Sequence, residues 1–138
     1  MNEEDSGMDN MMELAEKAVE LAGAFECRLD YSMESLSSLD ELAGMLHRMH
    51  TDEPLAEKAL INASAILGAY LGETLLRNGL GDLGFGWVEE DGWAELGREE
   101  ERTRPLSKVY KRITNGPGDD LTSFGMISLV LAGGKMVG

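Results

Sequence analysis

Apolar side chains recur along this chain first at helical spacing, then two apart, then at helical spacing again. From Asp9 or Asn10, either of which can cap a helix, Met11, Leu14, Ala18, Leu21, Ala22 and Phe25 form one stripe, and Glu13, Glu16, Lys17 and Glu20 fill the other side. Residues 1–8 are polar and read as a tail, which sets the expected single domain at 9–134. Ser32, with Glu34 in the first turn, starts a second helix that carries Leu36, Leu39, Leu42, Leu46 and Met49 and ends by His50. The run Thr51-Asp52-Glu53-Pro54 joins a capping side chain, acids for the positive end of the helix dipole and a proline where no amide bond is lost. It predicts a third helix over 54–78, closed by Asn78-Gly79. The middle of that helix, from Ala59 to Leu71, is apolar nearly all round and belongs at the centre of the molecule. Ser64, Gly68 and Gly72 recur at four-residue intervals on it. A helix glycine costs about 1 kcal/mol relative to alanine, and close approach by a neighbouring helix or sheet offsets that cost.

Past Gly79 the period shortens. Phe85 and Trp87 lie two apart, Trp93 is followed by Ala94 and Leu96, and Glu90-Asp91-Gly92 between them reads as a hairpin turn. The charged run 98–104 suits a solvated loop, a charged edge strand or a third strand. Pro105 opens a helix with Leu106, Val109, Tyr110 and Ile113 on one face, closed by Asn115-Gly116-Pro117. Asp119 or Asp120 caps a last helix that runs through Leu121, Phe124, Ile127, Leu129 and Leu131 to Gly133-Gly134. The expected fold class is α+β: three N-terminal helices, a small antiparallel sheet of two to four strands around residues 83–104, and two C-terminal helices packed around the central helix 54–78.

Charge narrows the function classes. Twelve basic against 26 acidic side chains give a net charge of −14, which argues against nucleic acid and anionic membrane surfaces as ligands and suits a basic protein partner or simple solubility. With one cysteine, Cys27, no internal disulfide can form. The acidic start Met1-Asn2-Glu3-Glu4-Asp5 is unlike a secretory signal, and no apolar run approaches the length of a membrane span, so a cytoplasmic address is the expectation.

Candidate chemistry is sparse. Glu73 falls beside Ile66, Ala69 and Tyr70 on the helical wheel. Burial there would suit a general acid or base, whereas Arg77, one turn on, would make it half of a structural pair. His47 and His50 lie near Asp52, but this spacing is weak and no metal is assigned. Lys108, Lys111 and Arg112, with Arg102 and Arg104 upstream, form the one basic cluster. They can seat an acidic ligand, or simply be the solvated face opposite Leu106, Val109 and Ile113. Trp87 and Trp93 flank the turn, and at least one is expected in the core. Gly84-Phe85-Gly86 lacks the spacing of a phosphate loop, no nucleophile pattern surrounds Cys27 or any serine, and no cofactor is expected.

The segment Leu67-Gly68-Ala69-Tyr70-Leu71-Gly72-Glu73, then Gly86-Trp87, then Pro105-Leu106-Ser107-Lys108-Val109-Tyr110-Lys111-Arg112 leading to Asn115-Gly116, resembles small bacterial domains of unknown function over residues 60–125. The resemblance implies a helix ending in a glycine-glutamate pair, a tryptophan-bearing strand and a basic helix. It carries no activity over to any residue. Two functional expectations follow. One is a non-enzymatic interaction module, of the immunity or accessory kind, that engages a basic partner. The other is a small enzyme or ligand-binding domain with a cleft between the central helix and the sheet, using Tyr70, Glu73, Trp87 and Arg112. A homodimer through Gly68 and Gly72, or through the methionine-rich first helix, is a further option.

Overall fold

The computed structural model describes residues 3–133, with side chains described from Asn10 onward. Eight elements carry the fold: α1 Glu3–Ala24, α2 Leu36–Asp52, α3 Glu57–Leu75, β1 Gly86–Glu90, β2 Trp93–Arg98, β3 Glu101–Thr103, α4 Pro105–Asn115 and α5 Leu121–Leu131. Three helices, a three-stranded antiparallel sheet in the order β1-β2-β3 and two further helices make the expected α+β architecture. α1 begins at Glu3, ahead of the Asp9 or Asn10 cap; within the 1–8 stretch, positions 1 and 2 lie outside the described residues, as does Gly134 at the other end.

α3 is the axis. α1 and α4 pack along it, and residues Leu67 to Leu75 are buried without a break. The fully buried Leu67, Tyr70, Leu71 and Leu75 each contribute about 1.5–3 kcal/mol by leaving water, as an upper estimate. α1 meets α3 through Ala15, Ala18 and Ala22, all wholly buried, so small side chains again set a close helix spacing. By length and composition Glu57–Leu80 could cross a membrane, with a mean hydropathy of 1.4 in its most apolar window, contrary to the sequence expectation. Yet 61% of that window is buried inside the protein, as befits a core helix.

The start of α3 differs from expectation. Thr51 and Asp52 complete α2, Pro54 lies in the connection, and α3 begins at Glu57 with Ala56 as an N-cap that has no side-chain hydrogen bond. His50 explains the turn: its Nδ1 accepts the Leu55 amide at 3.0 Å, which holds the chain as it leaves α2. At the far end the α-helix widens after Leu75 into one π turn, Leu76–Leu80, where the Gly81 amide reaches back to the Leu76 carbonyl at 3.0 Å. Gly79 sits there at φ 152°, beyond the reach of other residues, and Asn78 ties the turn down through Thr74 and Tyr31 carbonyls.

Asp91 at φ 52° and Gly92 at φ 84° make the two-residue turn between β1 and β2, with both central residues left-handed as a tight hairpin requires. Trp87 pairs directly with Leu96, and both are buried toward the helices. Trp93 is only half-buried, so Trp87 is the core tryptophan. The charged run 98–104 contains the third strand, paired Arg98 with Glu101.

Candidate functional site

The row Ser64, Gly68, Gly72 works as its spacing predicts, and it is internal. A Cβ on Gly68 would lie 2.6 Å from the Leu106 Cα, and one on Gly72 would lie 2.2 Å from Cη2 of Trp87. α4 and the sheet therefore both approach the α3 backbone at these glycines, which removes them as a homodimer surface. Trp87, laid over Gly72, donates its indole N–H to Glu73 Oε2 at 2.8 Å. The other carboxylate oxygen faces Arg77 at 3.6 Å, so the structural pair forms. Trp87 itself occupies the space over Gly72, where the sheet meets α3.

Arg77 leads to the neighbouring tyrosines. Its guanidinium lies 3.7 Å over the Tyr31 ring, and Tyr31 in turn packs on Tyr70 with centroids 4.8 Å apart. Ser35 donates to the Ser32 carbonyl at 2.6 Å, so the 2.6 Å bond between Ser35 and Tyr70 takes its proton from Tyr70. The Tyr70 oxygen then accepts the Tyr31 amide at 2.7 Å. Tyr31 is held at φ 65°, a costly conformation for a bulky residue, by these bonds and by Arg77 above it. Burial pushes its phenol up from 10.0, with Arg77 opposing.

Tyr70, Glu73 and Trp87 are thus brought into one network, while Arg112 is not. Arg112 is buried at 7% exposure, not on the solvated face, because α2 lies over that flank of α4 and supplies Asp40. Its Nε donates to Asp40 Oδ1 at 3.2 Å and its Nη2 to the Asp40 carbonyl, while Nη1 is buried without a partner. Asp40 also accepts the Leu121 and Thr122 amides and the Thr122 hydroxyl, so one α2 carboxylate secures both α4 and the start of α5. Sequence reasoning missed Asp40 because nothing local distinguishes it from other helical acids. Asp120, not Asp119, is the local cap of α5, accepting the Ser123 amide at 2.9 Å. Asp119 pairs with Lys108 at 3.0 Å.

The histidines are spoken for by the backbone. His47 Nδ1 bonds the Ile113 carbonyl at 2.7 Å, and His50 accepts from Leu55. Among the described residues no group of three or more metal-ligating side chains converges.

Open space lies elsewhere. A cleft of about 730 Å³ between β3, α4 and α5 is edged by Arg102, Arg104, Lys108 and Lys111 and floored by Phe85, Phe124, Ile127 and Leu131. A second hollow, about 540 Å³, gathers Phe25, Cys27, Arg48 and the Asp40–Arg112 pair. The basic cluster of the sequence therefore divides, with Arg112 locked inward and the other four around the larger cleft. Comparison with family models, curated proteins and solved structures finds no match for this chain.

Proposed function

We propose that this protein is a non-enzymatic, cytoplasmic interaction module, of the immunity or accessory kind, whose acidic surface engages a basic protein partner. The observation that carries the proposal is the outward face of α1. Glu13, Glu16 and Glu20 lie exposed there, in no ion pair among the described residues, with Met12 and Leu21 exposed at 52% and 39% on the flanks. Carboxylates at this spacing share one helical face, and apolar flanks supply area to bury around them. The net charge of −14 adds long-range attraction for a basic surface.

A small enzyme or ligand-binding domain is the alternative. Its support is the strained Tyr31 beside Glu73, since strain of this kind is often kept at working sites. Against it, the Glu73 carboxylate is occupied by Trp87 and Arg77, and its residue is 8% exposed. Affinity capture from the source cells, at low and high salt, with wild type and with Glu13→Lys/Glu16→Lys/Glu20→Lys, tests the first proposal. A partner held at low salt and lost in the triple variant supports it; a partner indifferent to both removes its basis.

A further inference from the structure

α5 is apolar on both sides. Leu121, Gly125 and Leu129 face the core, while Met126, Ile127, Val130 and Leu131 are exposed at 41%, 56%, 49% and 79%. No charged residue occurs anywhere in this helix. A helix apolar on opposite faces is normally covered on both, and α5 is covered on one. Along its open side runs the basic edge of the larger cleft. Arg104, Lys108 and Lys111 follow one another at i, i+4 and i+7 on α4 and its cap, a row roughly 10 Å long at helical rise.

From this juxtaposition the geometry points to a docking groove, between α4 and α5, for an acidic amphipathic helix of a partner protein. The partner's carboxylates meet Arg104, Lys108 and Lys111, and its adjoining apolar stripe covers Ile127 and Leu131. Donors remain for such a partner. Lys111 is in no ion pair among the described residues, Lys108 gives Asp119 one of its three protons, and Arg104 engages Glu95 through Nε. The carboxylates within the groove are already held, Glu101 by Arg98 and Asp120 by the Ser123 amide. Arg102, the remaining cation, is tied to Glu90.

Three features select this occupant. The apolar floor of Phe85, Phe124, Ile127 and Leu131 runs out of the cleft onto Met126 and Val130, giving more surface than a small anion would cover. A charge of −14 opposes a broad anionic membrane, which would face the acidic parts of the surface too, more than it opposes one helix whose carboxylates meet only the basic row within a screening length. A second copy could offer its acidic α1, but the main apolar face of that helix, Ala15, Ala18 and Ala22, is spent on α3, and its exposed Met12 and Leu21 lie on opposite flanks of the carboxylates instead of in one stripe beside them. The groove is distinct from the α1 face and of opposite sign, so it does not depend on the function proposed above.

The test uses the full chain and a labelled synthetic helical peptide with glutamates at i, i+4 and i+7 beside a leucine stripe, set against a peptide of the same composition with the register scrambled. Fluorescence anisotropy should show the registered peptide binding about tenfold or more tightly than the scrambled one, with Ile127→Ser/Leu131→Ser losing about tenfold. Lys111→Glu should lose several-fold at low salt and little at high salt, while circular dichroism of each variant stays native. Equal binding of the two peptides, or unchanged affinity in the serine variant, overturns the proposal. So does self-association that depends on Ile127 and Leu131 and excludes the peptide, or binding to anionic vesicles that needs the same residues without any peptide preference.

Discussion

α3 and α5 are both strongly apolar helices, and their surroundings could hardly differ more. α3 is enclosed by α1, α4 and the sheet, and its glycines are places where other parts of the chain come closest. α5 is enclosed on one side only and leaves Ile127 and Leu131 in water. Apolar content alone therefore does not say whether a helix is structural or available for a partner; the number of elements that wrap it does. Individual charged groups show the same division. Glu73 on α3 and Asp40 at the inner end of α5 are closed into pairs, whereas Lys111 at the open side of α5 is free of ion pairs among the described residues.

The contrast can be broken most severely at the inner end of α5. Asp40→Ala leaves the Arg112 guanidinium buried without its countercharge and two α5 amides without an acceptor. Equilibrium denaturation should show a loss of about 3–5 kcal/mol. Gly72→Ala comes next, because the new methyl must displace the Trp87 ring at 2.2 Å, and about 1–3 kcal/mol should be lost. Gly23→Ala in α1, where a Cβ meets nothing within 4 Å, serves as its control and should be neutral or gain a little stability.

Trp87→Phe keeps most of the ring but removes the donor to Glu73, and about 1–3 kcal/mol should follow in the same assay. On the open face Ile127→Ser/Leu131→Ser should change stability by less than about 0.5 kcal/mol per residue, the mark of side chains that fold does not need. A large loss there would make the outer face of α5 structural after all.

The smallest effect is acidic. Hydrogen bonds from Lys108 and Asn115 hold Asp119 below its ordinary 3.8. A depressed carboxylate stabilises the fold fully above its unfolded value and ceases to do so as pH falls through the folded one. Melting temperatures of wild type and Asp119→Asn should therefore differ slightly at neutral pH and converge below about pH 4. A gap that persists in acid would assign the difference to packing.

Much of this was legible from local pattern. The hairpin turn at Asp91-Gly92, the start of α4 at Pro105 and the crowding at Gly68 and Gly72 all follow from residue types whose backbone or size has few uses. Thr51-Asp52-Glu53-Pro54 misled, because the same residues that open a helix also close one and turn away from it, and His50 decided between them. Arg112 misled for another reason. On the wheel of α4 it is a boundary position, and whether a boundary charge stays wet depends on what lies above it.

By itself, then, the order of residues determined that five helices flank a tryptophan hairpin, that α3 would be the core, and that one basic cluster stands in a chain of charge −14. Those properties are set by periodicity, backbone freedom and charge, which act over a few neighbouring residues or over the whole chain at once. Packing alone decided that Trp87 closes over Glu73, that Asp40 takes Arg112 from the basic cluster, and that one side of α5 is left uncovered. Each of those depends on which distant side chain arrives at a given place, a relation between segments that no local spacing encodes.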